Sequence, residues 1–320
     1  VETRDEKILN EIANHSKECQ THINGTLPDF VKKVFNKHKA NDKNNFLSIK
    51  NEWLGSSGMF IAKKAYAINL VFKEDFPHNK TRCVGITLIK SSTPKKLKTY
   101  LNALQTLGFS GLNITLPYKQ AVIKYLNYVD PIAKAIGAVN TVVITKNKFR
   151  GYNTDSFGAI SSIKSQSKNI KGCRALVLGT GGASRAIVYG LLEEGCSVIV
   201  AFRKPLSLRT STLFHDFKNK VIFIENTDDN LETAITESDL ICNATSCGMS
   251  PFINDSPVSI RVLNRASKKS DFSKKLFFDA IFNPYKTKFL SYAEKLNAKI
   301  QGGTEMMIYQ GIKAFHLWTG

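Results

Sequence analysis

The sequence predicts a two-domain α/β protein from three observations. β-prone runs alternate with segments of helical period in two separate series, a polar stretch divides the series, and the second series opens on a strand running into a glycine-rich turn and a helix. With 320 residues, 42% of them hydrophobic and 10% aromatic, the chain is long enough to bury a core in each domain.

Residues 1–45 are polar, rich in Lys, Asn and Asp, with helical spacing in places, as in LPDFVKKVF. They read as an appended helical or partly disordered extension. From Phe46 the texture changes. The runs FLSIK, RCVGITL, LNITL and AVNTVVI have strand character, whereas MFIAKKAYAINL and KLKTYLNALQTLGF carry helical period, which predicts a first α/β domain over 46–150 with a largely parallel sheet. TKNKFRGYNTDSFG follows as a polar break. After Lys171 a second series supplies the strands RALVLG, SVIVAF, KVIFI, LICNAT and LFFDAIF, giving a second domain over 151–300. Within 301–320, EMMIYQGIKAFHLWTG places apolar residues near i, i+3, i+4 and i+7 and reads as an amphipathic helix packing against a domain face. No internal repeat is evident.

Composition narrows the function classes. There is no run of about 18 apolar residues, and the first segment lacks the apolar stretch of a signal peptide, so the chain reads as soluble and cytoplasmic. Cysteines 19, 83, 173, 196, 242 and 247 form no CxxC pair and sit in apolar or glycine-rich segments, which predicts reduced, buried thiols. The histidines show no HxxxH spacing, so no metal is expected. The excess of 45 Lys+Arg over 26 Asp+Glu gives a formal charge of +19 and raises nucleic acid, an anionic membrane or anionic small molecules as partners. The basic residues are spread along the chain, with short Lys clusters at 95–98 and 274–275 and no arginine-rich arm. They describe a solvated basic surface rather than a nucleic-acid site.

The strongest physical motif is ALVLGTGGASRAIVYGLLEEG. Gly179 permits a tight turn after the strand, and Gly181 and Gly182 let the backbone approach a pyrophosphate at the positive end of the following helix. Ser184 stands at the third glycine position, but the strand–turn–helix context is present. The next strand ends in Phe202-Arg203-Lys204, where an NAD site places an acidic residue on the ribose. Basic residues there suit a 2′-phosphate, which favours NADP over NAD; as plain loop charges they carry no such meaning.

Seven blocks in order make the chain resemble the shikimate and quinate/shikimate dehydrogenases from about Phe46 to Gly320: GLNITLPYK (111–119), AIGAVNT (135–141), GYNTDSFG (151–158), LGTGGASRA (178–186), NATSCGM (243–249), DAIFNPYKT (279–287) and QGGTEMMIYQGIKAF (301–315). The resemblance implies an N-terminal α/β substrate domain, a C-terminal Rossmann-like NADP-binding domain and a closing helix that returns to the first, with the active site between them. It implies Lys119 and Asp155 as the catalytic pair, Asn113, Thr115, Asn140 and Gln310 on the substrate, and Ser56 on its carboxylate. It also implies Gly179, Thr180, Gly181, Gly182, Ala183, Arg203, Lys204, Thr245 and Gly303 around the cofactor. The expected activity is NADP-dependent reduction of 3-dehydroshikimate to shikimate, or its reverse, on an anionic hydroxy-acid substrate.

The chemistry of the residues agrees. Hydride arriving at a ketone carbon builds negative charge on oxygen, which an ammonium such as that of Lys119 stabilises and protonates. A carboxylate such as Asp155 orients the amine and biases its protonation state. Read alone, Lys119 is a solvated lysine after a Pro-Tyr turn and Asp155 a helix N-cap.

The chain also departs from the family's pattern. Its usual Ser-x-Ser is Ser56-Ser57-Gly58, the preceding Gly-Asn-Pro is Lys50-Asn51-Glu52, a tyrosine is replaced by Phe282, and Ser207 stands where a second arginine is usual, with Arg209 or Lys204 as compensation. Each charge-assisted hydrogen bond lost from the carboxylate site costs on the order of 1.5–3 kcal/mol. Quinate-type or other hydroxy acids are therefore the rival substrates, and a weakly catalytic, ligand-sensing or nucleic-acid-binding descendant is the rival class. The extension is either a linker from a fused pathway enzyme or a surface addition, and the start at Val1 points to a processed or excised piece.

Overall fold

The computed structural model describes residues 67–70, 74–76, 80–82, 86–89, 97–106, 109–115, 117–203 and 220–319. The expected extension at 1–45, the FLSIK strand, Lys50–Glu52, the Ser56–Gly58 segment, Lys204, Ser207 and Arg209 lie outside them. The chain divides into two compact units. The first holds the described residues up to Ala133, Ala138–Tyr152 and the chain from His316 on; the second holds Lys134–Gly137 and Asn153–Phe315.

In the first unit the strands are β1 (Ala67–Leu70), β2 (Glu74–Phe76), β3 (Lys80–Arg82), β4 (Ile86–Ile89), β5 (Gly111–Ile114), β6 (Tyr128–Val129), β7 (Thr141–Ile144) and β8 (Phe149–Tyr152), with helix α1 (Leu97–Thr106) and the start of α2 (Pro131–Ile136). Its main sheet runs β4-β1-β5-β7-β8-β6. The expectation of a largely parallel sheet is corrected here: β4–β1, β1–β5, β5–β7 and β7–β8 pair antiparallel and only β6–β8 is parallel. For β7–β8 the connection explains it. A parallel crossover needs a dozen or more residues, and the link from β7 to β8 is a tight turn in which Thr145 N donates to Lys148 O at 3.0 Å. The polar break is corrected too, because it folds as that turn, then β8, then a helix start. Phe149 and Gly151 point inward and Arg150 outward, the alternation of a half-buried strand. MFIAKKAYAINL likewise ends as strand β1 rather than helix.

Helix α1 presents Leu97, Tyr100, Leu101 and Leu104 at i, i+3, i+4 and i+7 to Leu112, Ile114, Val142, Ile144 and Phe149, forming this unit's core. At Gly111 the sheet leaves no room for a side chain, because the Trp318 indole occupies the place of a Cβ. Trp318 Nε1 donates to Val142 O at 3.0 Å.

The second unit holds the remaining part of α2, then α3 (Asp155–Gln166), β9 (Arg174–Leu178), α4 (Gly182–Glu193), β10 (Ser197–Phe202), β11 (Val221–Glu225), α5 (Asp228–Glu237), β12 (Leu240–Asn243), α6 (Ile260–Ser267), β13 (Leu276–Asp279), α7 (Lys288–Lys295), β14 (Lys299–Gln301) and most of α8 (Gly303–Thr319). The five strands expected from the sequence form, and β14, too short to stand out in the pattern, is added. All pair in parallel in the order β11-β10-β9-β12-β13-β14.

That order is the doubly wound Rossmann arrangement, reversing direction at β9. The inner strands β10, β9, β12 and β13 are buried on both faces, whereas the edge strand β11 leaves Ile222 exposed. Ala175, Val177, Val198, Val200, Cys242 and Phe278 enter one core with α3 and α4. Leu176, Leu178, Ile199, Ala201, Ile241 and Phe277 enter the other with α5, α6 and α7. Continuous apolar runs such as LVL and VIV are what such a strand requires.

Candidate active site

Four expected substrate-side residues gather in the first unit. Asn113 lies on β5 and Asn140 immediately before β7, and the two strands are adjacent, with Ile114 N donating to Asn140 O at 2.6 Å. The Thr141 hydroxyl donates to Asn140 Oδ1 at 3.0 Å and lies 3.4 Å from Asn113 Oδ1, so its one hydrogen orients the Asn140 carboxamide. Beyond β5 the chain turns, with Tyr118 N donating to Thr115 O at 3.0 Å. Val139 N then donates to Lys119 O at 2.8 Å, which ties the backbone of Lys119 to the strand that carries Asn140. Lys119 is half-buried and Asn140 buried. Thr141 was not among the expected residues, although its place inside the AVNT run marked it.

Asp155 and Gln310 belong to the second unit. Asp155 is buried as the first residue of α3, and Asn153 Oδ1 accepts from Asp155 N at 3.0 Å and from Ser156 N at 3.3 Å. Capping therefore falls to Asn153, not to Asp155 as the residue read alone suggests. Gln310, on α8, accepts from Thr154 Oγ1 at 3.3 Å, beside the start of α3. Phe282 is half-buried after β13. Lys119 and Asp155 thus come from different units, and their pairing belongs to the proposal below.

The glycine turn stands at the C-terminal end of β9, the switch point of the sheet. Gly179 has φ +102°, a conformation open to glycine, and a Cβ there would come 2.8 Å from Thr245 Cγ2. Ser184 Oγ donates to Gly179 O at 2.6 Å, so the residue that replaced the third glycine closes the turn from inside the helix. Gly181 is the N-cap of α4 and no side chain caps it. Around Gly181 and Gly182, Cβ positions meet nothing within 4 Å, with Thr180 and Ala183 flanking them half-buried. An uncapped helix start with open backbone at a switch point fits a pyrophosphate. Arg203 follows β10 and is exposed. Gly303 begins α8, buried, and its N donates to Ile281 O at 3.1 Å.

Around Thr245 runs a buried polar network that the sequence did not single out. Asn243 and Asp279, the last residues of β12 and β13, are fully buried and joined by Asn243 Nδ2 to Asp279 Oδ1 at 3.1 Å. Burial pushes the Asp279 carboxyl up to about 6, with hydrogen bonds from Thr287, Ile281 N and Asn243 opposing the rise. The native state therefore holds a proton that the unfolded chain has released, and stability falls as pH rises from about 4 through about 6. The loss is about 3 kcal/mol by linkage. Urea midpoints of wild type and Asp279→Asn between pH 4 and 7 check it: the wild type should lose ground to the variant as pH rises, and parallel curves would contradict the shift.

Among the described residues no helix is long and apolar enough to cross a membrane, and no cluster of His, Cys, Asp or Glu could hold a metal ion. Cys173, Cys196, Cys242 and Cys247 are free thiols. Burial raises the pKa of each, that of Cys196 to about 11, so all four are held protonated.

Two family models match the chain: a shikimate dehydrogenase substrate binding domain over residues 77–142 and a shikimate / quinate 5-dehydrogenase over residues 161–284. The shikimate dehydrogenase (NADP(+)) of Caldanaerobacter subterraneus subsp. tengcongensis is 37% identical over 241 residues, covering 74% of this chain and 81% of that protein. The solved shikimate 5-dehydrogenase of Thermus thermophilus, in complex with NADP(H) and shikimate, superposes with a TM-score of 0.59 at 34% identity, over 72% of this chain and 78% of that one. A chorismate mutase/shikimate 5-dehydrogenase fusion protein from Clostridium acetobutylicum superposes with a TM-score of 0.62 at 28% identity, over 74% and 80%.

Proposed function

Because the chain belongs to the shikimate dehydrogenase family, we propose that it catalyses the reversible, NADP-dependent reduction of 3-dehydroshikimate to shikimate. The observation that carries this reading is the open glycine turn at the switch point of the parallel sheet, where Gly179, Thr180, Gly181, Gly182 and Ala183 would hold the pyrophosphate. Arg203, with Lys204, would take the 2′-phosphate, and Thr245 and Gly303 would flank the cofactor. When bound, NADPH supplies the hydride.

This chain's own residues do the rest. Asn113, Thr115, Asn140 and Gln310 orient the ring hydroxyls, and Ser56 holds the carboxylate. Lys119 gives a proton to the oxygen as its carbon gains hydride, leaving a neutral amine that recovers the proton from solvent; the reverse reaction runs the same transfer backwards. Asp155 pairs with the lysine and orients its amine toward the substrate oxygen. An Asn140 carboxamide held by Thr141 before substrate arrives needs little reorganisation on binding, which supports placing the ring beside Asn140 and its neighbour Asn113.

A second reading, quinate-type turnover, is favoured by Gly58, which has no side chain where the family carries a second serine, beside the carbon on which quinate bears an extra hydroxyl. Both are tested by following NADPH and NADH absorbance with 3-dehydroshikimate and 3-dehydroquinate. The expected result is oxidation of NADPH by 3-dehydroshikimate with kcat/KM at least about tenfold above that with NADH, the scale of one charge-assisted contact to the 2′-phosphate. Faster turnover of 3-dehydroquinate would select the second reading. Salt-dependent nucleic-acid binding without cofactor oxidation would defeat both.

A further inference from the structure

We propose that Asp279 acts through Asn243 as a positioning residue for the cofactor turn, holding the loop after β12, and with it Thr245, against Gly179. The proposal rests on reading the Gly179–Gly182 turn as the NADP site.

Asn243 and Asp279 sit opposite one another in the parallel register of β12 and β13, at the carboxyl edge of the sheet where such folds bind ligands. Asp279 Oδ1 accepts from Ile281 N at 2.9 Å and from Asn243 Nδ2 at 3.1 Å, and Oδ2 accepts from Thr287 Oγ1 at 2.7 Å. An ionised carboxylate only accepts, so it dictates which end of the Asn243 amide faces it. The amide oxygen is thereby turned to the loop, where it accepts from Thr245 N at 3.0 Å and Thr245 Oγ1 at 2.7 Å. The second amide hydrogen goes to Cys247 O at 3.1 Å, and Thr245 Oγ1 in turn accepts from Cys247 N at 3.1 Å. Every polar position of Asn243 is used, and the run 245–247 is shaped by these side chains. The Thr245 methyl then stands 2.8 Å from the Cβ position of Gly179, so a displaced loop disturbs the turn directly.

The carboxylate's hydrogen-bond partners are all neutral, and burial pushes it up to about 6. A fold that needed only packing would be better served by an apolar side chain at this place. The geometry gives the unfavourable burial a purpose: it fixes one orientation of one amide.

NADPH binding is measured by calorimetry on wild type, Asp279→Ala, Asp279→Asn, Asn243→Ala and the Asn243→Ala/Asp279→Ala double variant, with amide exchange at Thr245 and Cys247 in the cofactor-free proteins. Asp279→Ala should weaken binding about tenfold, as expected for a buried hydrogen-bond partner removed from a network. Asp279→Asn, which can still accept from Asn243 and Ile281, should recover to within about threefold of wild type, and the double variant should be no weaker than the worse single one. Exchange should quicken at Thr245 and Cys247 but not along β9 or β10, whereas a purely structural role would quicken it throughout the sheet.

Asp279→Ala binding as tightly as wild type, or Asp279→Asn as weak as Asp279→Ala, overturns the relay alone. A wild type that binds no NADPH overturns the reading of the turn, and the relay with it.

Discussion

Lys119→Ala should lower kcat by about two to four orders of magnitude, the usual scale for removing a general acid. Without the amine, charge developing on the carbonyl oxygen has no proton donor at the moment of hydride transfer, and water must substitute at a higher barrier. The backbone at this point is held independently of the side chain, by Val139 N on Lys119 O and by the Tyr118 N to Thr115 O turn. Truncation therefore leaves the Asn113 and Asn140 pair in place. NADPH affinity should be unchanged, because the turn that would hold it lies in the other unit. Steady-state NADPH oxidation and cofactor titration read the two quantities separately, and a kcat loss under about tenfold would move the proton donor elsewhere.

Gly181→Val should reduce NADPH affinity by about a hundredfold or more while leaving the fold intact, since it puts a branched apolar group where the pyrophosphate meets the helix start. Gly181 has φ −78° and ψ −174°, an extended conformation that valine adopts readily, and nothing lies within 4 Å of its Cβ position. The exchange at an N-cap costs about 1 kcal/mol, a fall of a few degrees in Tm. Calorimetry with NADPH beside a thermal melt gives both numbers. Retention of affinity within about tenfold would place the pyrophosphate away from this turn.

The second unit was legible because its inner strands are buried on both faces. Runs such as ALVL and SVIVA need no partner to be recognised, and β14 escaped because three residues carry no pattern. The first unit was less legible for the opposite reason. Its pairing directions leave no mark in the apolar pattern, and a polar turn followed by Phe-Arg-Gly-Tyr looks like a break until Phe149 and Gly151 are found facing the core. Among site residues, the glycines declared themselves through strand–turn–helix context, whereas Lys119 and Asp155 had no signal beyond the family blocks around them. Asp279 was invisible as a hub, because an aspartate inside the predicted strand LFFDAIF gives no sign of its partners Asn243 on β12 and Thr287 before α7.

Trp318 reaches the first unit from the far end of the chain, filling the space above Gly111 and donating to Val142 O. Neither unit is a continuous piece of polypeptide, since the first takes its last turn of helix from beyond residue 315. On the ribosome, β5 must therefore wait, lacking its indole cover, while the whole second unit is made. Cutting the gene between the two halves would strip the substrate half of one of its own buried aromatic residues.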